Sequence, residues 1–210
     1  SVIDTCLSIG NELGTGNFSK MVKVSGKSGI DRPLIGEFSK MECVYYEVQV
    51  DHTFEELEET KDQNGRPQRK WVNKTETLGR DKKGGEFWLI DSSARVTLDI
   101  EGANLGLKNV VNNKKSNIRP TIFSFTQYHP VNNNTTRSTG YIEIERHLKS
   151  GENLFVVGEL HDRDGAPKIS KPQDKKETFV VSTKSEEDVI KGLESQVKML
   201  FYGGIALAVV

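Results

Sequence analysis

The chain has 210 residues, enough for one ordinary domain with an added element or for two small ones. Lys and Arg total 29 against 30 Asp and Glu, a formal net charge of -1, so no overall pull toward nucleic acid or acidic lipid follows, although charge can still cluster locally. Hydrophobic residues make up 35%, below the roughly 45–50% (Gly included) of a compact globule, and the two cysteines, Cys6 and Cys43, are too few for a disulfide framework or a four-cysteine zinc site.

In chain order, Val2 to Gly14 carries Ile3, Leu7 and Leu13 at rough helical spacing and predicts a short helix stopped by Gly14-Thr15-Gly16. No signal peptide opens the chain; Ser1 is read as a cut end with sequence missing upstream. Met21 to Gly26 alternates as a half-buried strand, and Asp31-Arg32-Pro33-Leu34 predicts a turn, because Pro fixes φ and restricts the residue before it. Cys43 to Val50 predicts a strand in which Cys43 acts as a small buried hydrophobe. Asp62-Gln63-Asn64-Gly65 is a hairpin signal, with Arg66 to Thr77 as the return strand carrying Trp71 and Val72. The two polar stretches, Thr53 to Glu86 and Asn109 to Arg137, are expected to be excursions from a small apolar scaffold; the second is read as a long loop with one short ordered piece at Ile122 to Phe125.

Phe87 to Ile90, a turn at Asp91 to Ala94, and Arg95 to Ile100 predict a strand pair with Val96, Leu98 and Ile100 on one face. Gly140 to Glu145 alternates, Lys149 to Glu152 is a turn, Leu154 to Leu160 is a buried strand, and His161 to Gly165 is a second hairpin turn. Lys168 to Ser170 and Phe179 to Ser182 complete the strands. Ser185-Glu186-Glu187-Asp188 is a helix start, with a capping hydroxyl and acids at the positive end of the helix dipole. Val189, Leu193, Val197 and Phe201 follow at every fourth position, and no charge occurs from Met199 to Val210. A span needs about 20 apolar residues, so this run is read as the start of a transmembrane segment that the sequence cuts short; Gly203-Gly204 inside it suits a span better than a soluble helix.

The ordered set Val22 to Gly26, Arg32-Pro33-Leu34, Cys43-Val44-Tyr45-Tyr46, Phe87 to Asp91, Gly140-Tyr141 with Glu145 and Leu148, Leu154 to Glu159, and Ser182 to Glu187 before an apolar run resembles the GIDE domain. That domain, also called the beside-a-membrane domain, belongs to membrane-bound E3 ubiquitin ligases of mitochondria and chloroplasts and to bacterial, notably cyanobacterial, relatives. The resemblance implies a domain held between two membrane spans that contacts substrates or partners, with the transfer chemistry in a separate RING. It marks Pro33, Leu34, Cys43, Tyr45, Tyr46, Asp91, Gly140, Tyr141, Glu145, Gly158 and Glu159 as family positions with structural roles. A RING needs paired cysteines and a histidine for two zinc ions; the chain has no such set, so no ligase residue carries over and a bacterial-type relative without RING is expected.

Chemistry-bearing residues give little else. The four histidines, His52, His129, His147 and His161, show no metal-ligand spacing. Glu143 and Glu145 share a strand face and are read as the solvated side of an edge strand rather than an acid–base pair. Gly14-Thr15-Gly16 and Gly84-Gly85 lack the Gly-Lys-Ser/Thr ending of a phosphate loop. The basic pairs Lys82-Lys83, Lys114-Lys115 and Lys175-Lys176, with Trp71, Phe87 and Trp88, would suit a single-strand-binding barrel, but acids beside each pair read them as solvated loop charge.

The expectation is therefore a mainly β fold, a small OB-like or related barrel or curled sheet with long polar hairpins, a short N-terminal helix, and a C-terminal helix leading into a membrane span. Residues 1–16 are read as helix and linker, 17–184 as the β domain, and 185–210 as the terminal helix. The expected function is a non-catalytic, membrane-adjacent interaction or sensing domain of an integral membrane protein, on one side of a bacterial or organellar membrane. Its partner is an unidentified protein; no cofactor, metal or nucleic acid is expected. The alternatives are an OB-like nucleic-acid or small-ligand module and a hydrolase-like enzyme with a site in a barrel mouth.

Overall fold

In a computed structural model the chain is described over residues 2–14, 16, 18–61, 63–92, 94–103, 105–107, 109–115 and 134–192. The elements are α1 (Val2–Leu13), β1 (Ser19–Gly29), β2 (Leu34–Ile35), β3 (Glu42–Cys43), β4 (Tyr45–Lys61), β5 (Pro67–Gly84), β6 (Glu86–Ile90), β7 (Arg95–Asp99), β8 (Asn109–Lys115), β9 (Thr136–Leu148), β10 (Asn153–His161), β11 (Lys168–Ser170) and β12 (Val180–Ser182). A helical stretch follows at 186–192. The fold is mainly β, and it divides into two compact units: one holds α1, β1, β6, β7 and β10 to β12, the other β2 to β5, β8 and β9.

The first unit is a closed five-stranded barrel. β1 pairs antiparallel with β10 from Ser19↔His161 to Lys27↔Asn153, then with β6 from Lys27↔Ile90 to Gly29↔Trp88. β6 pairs antiparallel with β7, β7 parallel with β11, and β11 antiparallel with β10, which closes the ring. Counted along the chain, the barrel strands are ordered 1-2-3-5-4, the Greek-key arrangement of an OB-type barrel. β12 adds to β10 outside the ring. One strand can serve two neighbours because the backbone at Gly26 runs against β6: a Cβ there would sit 2.6 Å from the Ile90 carbonyl oxygen.

Alternation explains this core. Leu89, Leu98, Val156, Leu160, Ile169 and Val181 are fully buried, and Val96, Leu98 and Ile100 share the inward face as their spacing predicts. Ile3 of α1 is also fully buried. The Lys149–Glu152 turn is tied to β1 by Ser28, whose hydroxyl donates to the Lys149 carbonyl (2.7 Å) and accepts from the Glu152 N–H (3.1 Å). At the start of the last helical stretch, the Asp188 N–H donates to the Ser185 hydroxyl (3.2 Å), the expected cap.

The second unit is a four-stranded antiparallel sheet, β5-β4-β9-β8, with the small β2–β3 pair. Its chain comes from two stretches, Leu34–Gly84 between β1 and β6, and residues 108–148 between β7 and β10. The expected hairpin is present, but its return strand runs to Gly84 rather than Thr77, so Arg80, Lys82 and Lys83 are strand residues and not loop charge. The reading of Asn109 to Arg137 as a loop is also corrected: Asn109–Lys115 is β8, and β9 begins at Thr136. An edge strand needs only backbone pairing on one side, so a polar sequence supplies it without an apolar signal. Ile122 to Phe125 lies outside the described residues, as do Leu193, Val197 and the uncharged run from Met199. Among the described residues no helix is long and apolar enough to cross a membrane.

Candidate functional site

β9 lies between β4 and β8, so it is an inner strand. Glu143 and Glu145 are therefore not the solvated side of an edge; they are 6% and 0% exposed. The period-two pattern identifies which residues share a face but not which face is buried. Here Ile142, Ile144 and Arg146 are half-buried, and Tyr141, Glu143, Glu145 and His147 are buried. They face Tyr46, Val48, Val50 and His52 of β4, their direct cross-strand partners.

Glu145 locks a loop. Its Oε2 accepts the N–H groups of Phe38 (2.6 Å) and Ser39 (3.2 Å), and its Oε1 accepts the Ser39 hydroxyl. The chain can approach so closely because residue 36 is Gly: a Cβ there would collide with the Glu145 carboxylate and the Ser39 hydroxyl. The loop closes on itself through the Gly36 N–H to the Met41 carbonyl (2.8 Å). Beneath it, Cys43, Tyr46 and Val48 form a buried cluster with Leu34 and Phe38 packed against it. Cys43 is a free thiol, as its apolar setting predicts. Burial raises its pKa above the ordinary thiol value, and the Glu145 charge adds to this, against a smaller opposing effect of the Tyr45 backbone bond.

Among the described residues of this unit, the Glu145 and His147 side chains, with His147 Nδ1 3.7 Å from Glu145 Oε1, come nearest to a catalytic constellation. Both are buried, both carboxylate oxygens are engaged by the loop, and the thiol beside them is held protonated. The arrangement fixes a loop; it offers a substrate no nucleophile. The other described histidines stand apart from it. His52 Nε2 lies 2.8 Å from the Ser138 hydroxyl and its ring stacks on Phe54. His161, in the barrel, meets the Ser170 hydroxyl at 2.9 Å. Burial lowers the pKa of both imidazoles. His129 lies outside the described residues. Among the described residues no three His, Cys, Asp or Glu side chains are grouped to hold a metal ion.

The barrel has its own polar knot. Glu159 receives Arg163 (2.8 Å), the Ser19 hydroxyl and the Gln173 N–H (3.0 Å). Burial pushes its carboxyl up, but these donors outweigh it and bring the pKa down to about 2. Asp162 accepts the Phe18 N–H at 3.0 Å, which fixes the start of β1.

Among the described residues, the distal part of the β4–β5 hairpin is an exposed feature of the sheet unit. β9 pairs with β4 only as far as Glu56↔Thr136, while β4–β5 continues to Lys61↔Pro67, so among the described residues the distal part is two-stranded. Its surface is held by cross-strand charge: Arg69 bonds Glu59 (3.0 Å), and Lys74 bonds Glu56 and Glu58 (2.7 Å to the latter). On the face bearing Leu57, Trp71 is half-buried, and the Arg137 guanidinium stacks on its ring 4.0 Å from the centroid.

A family model for the GIDE domain, described as E3 ubiquitin ligase, matches residues 55–210. The chain belongs to the GIDE family. No curated protein and no solved structure matches it. The match begins within β4, so the motifs at Val22 to Gly26, Arg32 to Leu34 and Cys43 to Tyr46 lie N-terminal to it.

The positions marked by the GIDE resemblance fall in both units. Leu34, Cys43, Tyr46 and Glu145 come together around the locked loop. Tyr45 donates to Glu47 (2.7 Å), Tyr141 packs on His52 (5.3 Å between rings), and the Gly140 carbonyl accepts the Thr53 hydroxyl (3.1 Å) beside a β-bulge. In the barrel, Asp91 closes the turn to Ala94 (3.0 Å), Gly158 leaves room for Ile169 and Phe179, and Glu159 centres the polar knot. Pro33 directly precedes β2. The sequence does not mark Gly36 or Ser39, and it offers His147 only as one of four histidines without ligand spacing; the available signal is that His147 follows Glu145 by two, on the same strand face. Of the aromatics considered for base stacking, Phe87 is a core residue, Trp88 is half-buried under Arg95 (4.5 Å), and Trp71 belongs to the other unit.

Proposed function

We propose that this chain is the non-catalytic, membrane-adjacent interaction domain of a GIDE-family protein, and that the distal β4–β5 hairpin with Trp71 and Arg137 is its contact surface for a protein partner. The observation that carries this is the arm itself: a two-stranded projection whose charge is held by its own cross-strand pairs and whose one large aromatic is presented half-buried on a cation. The enzyme reading loses support because the Glu145, His147 and Cys43 group is sealed. The uncharged run from Met199 to Val210, after a capped helix start at Ser185, is the proposed membrane attachment. Carbonate extraction tests that part: the chain stays with the membrane pellet, and loses this on replacing Leu200, Ile205 and Leu207 by Lys. Extraction of the unaltered chain contradicts it.

The interaction surface is tested by alanine substitution at Trp71 and Arg137 in the full chain, scored by partner cross-linking in the native membrane. Loss of the cross-linked species with an unchanged thermal midpoint is expected. Retention would shift the contact elsewhere. A nucleic-acid-binding barrel has one observation in its favour, the Trp88–Arg95 stack on β6–β7, the face an OB barrel uses. Against it, Arg95 lies 3.8 Å from Asp31, and Glu86, on β6 with Trp88, holds Lys168. Salt-sensitive quenching of tryptophan fluorescence by a single-stranded oligonucleotide, lost in W88A, would establish it.

A further inference from the structure

The accessible face of the four-stranded sheet carries a second feature, independent of the hairpin. Glu47 of β4 pairs in register with Lys82 of β5 on one side and Arg146 of β9 on the other, and Gln49 pairs with Arg80. Direct cross-strand partners share a face, so three cations from two strands surround one strand that bears Glu47 and Gln49, the Gln49 amide donating in turn to both carboxylate oxygens of the buried Asp51 (2.8 and 2.9 Å). These residues line a recess of about 640 Å³. That volume falls within the ~300–1,000 Å³ of small-molecule sites.

The cations are not neutralised at contact. Among the described residues, neither Arg146, which is half-buried, nor Lys82 has an acid within ion-pair distance, and Arg80 bonds only the neutral Gln49 amide oxygen (2.9 Å). The two acids of the lining are engaged by neutral donors: Glu47 accepts the Tyr45 hydroxyl (2.7 Å), and Asp81 accepts the Lys82 N–H (2.8 Å). The recess beside Trp88 in the barrel differs, since Arg95 there already faces Asp31. A half-buried guanidinium with no carboxylate in ion-pair contact among the described residues, in a concave polar site on three paired strands, is prepared for an oxyanion. Strand spacing puts the Lys82 and Arg146 backbones about 10 Å apart, with Arg80 about 7 Å along β5 from Lys82. Three cations spread over such a triangle exceed the charge of a single carboxylate, which favours a ligand that carries more than one anionic group.

We propose that this recess binds a small molecule bearing two or more oxyanion groups, carboxylate or phosphate, with Arg146 holding one group in bidentate fashion and Arg80 and Lys82 receiving the other. Glu47 between them limits affinity and orients the ligand by repulsion. The site does not depend on the partner surface, so either can fail without the other.

The test is isothermal titration of the full chain with citrate and with inorganic phosphate at fixed ionic strength. Saturable binding is expected, tighter for citrate than for phosphate because of its several carboxylates. R146Q and the exposed-site variant R80Q each weaken it, R146Q by about tenfold or more, whereas E47Q strengthens it. R69Q, an equal change of charge on the hairpin, leaves it unchanged. Thermal midpoints confirm that each variant folds; should R146Q fail to fold, R80Q and E47Q decide. No saturable binding of either anion, equal loss in R69Q and R80Q, or binding of polyglutamate but of neither small anion would overturn the proposal.

Discussion

The barrel and the four-stranded sheet are built from the same kind of alternating strand but are held by different forces. The barrel buries aliphatic side chains: Leu89, Leu98, Val156, Leu160 and Ile169 are fully enclosed by five strands in a ring. The sheet buries charge and imidazole: Glu143, Glu145, His52 and His147 lie on its covered face among Tyr46, Val48 and Val50. Apolar burial is non-directional and tolerates replacement by similar shapes. A buried carboxylate requires its donors in place. The barrel is thus fixed mainly by volume, with the Glu159 knot its polar exception, and the sheet adds to its apolar burial a lock made of particular hydrogen bonds.

Truncation should separate the two most clearly. Leu98→Ala removes a fully buried side chain from the barrel and is expected to cost about 3 kcal/mol in chemical denaturation. Glu145→Gln keeps the shape but turns one acceptor oxygen into a donor and leaves a donor of the 36–41 loop unmatched; about 2 kcal/mol is expected. Its sharper signature is local. Amide exchange at Phe38 and Ser39 accelerates while the barrel amides of Val156 and Leu160 keep their protection. Uniform acceleration in both units would mean that the lock is not a local device.

Acid should act on the barrel in two stages. Burial and the Arg163 charge hold His161 below its ordinary 6.5, and the Arg163, Ser19 and Gln173 bonds hold Glu159 at about 2, below its ordinary 4.5. Both folded-state values are depressed, so the unfolded chain binds protons first and each contribution is complete above the unfolded value. Stability therefore falls below about pH 6.5 through His161, then between about pH 4.5 and 2 through Glu159. The second stage is on the order of 3 kcal/mol. Glu159→Gln flattens that stage and, by removing the charge that raises the His161 pKa, deepens the first, as read from denaturation midpoints against pH. The smallest expected effect is Trp71→Ala, within about 0.5 kcal/mol of the parent because the side chain is on the arm and half-exposed.

The same contrast governs what was legible in the sequence. Val96, Leu98 and Ile100, or Leu154 to Leu160, announce a buried face by their own chemistry, and the barrel strands follow from it. In Gly140 to Glu145 the alternation was legible but the polarity of the faces reversed: Glu143 and Glu145 are both buried, and Glu145 meets donors more than a hundred residues away. Such partners leave no local mark. β8 was hidden for a related reason: it pairs with β9 through backbone groups, which a polar sequence supplies as readily as an apolar one. The return strand beyond Thr77 was missed because Arg80 to Lys83 lie along an exposed edge, where charge does not interrupt pairing. The family motifs marked Cys43, Tyr46 and Glu145, but only the geometry showed that they meet around one loop.

The most direct test of the interaction role is a photo-activatable residue placed at position 71 of the full chain in its native membrane, with Lys20 on the exposed side of β1 as the comparison position. The account predicts one reproducible cross-linked protein from position 71, none from position 20, and loss of that species when Arg137→Ala is added. Equal cross-linking from both positions, or none from position 71 with the fold intact, would contradict the assignment of the hairpin as the partner surface.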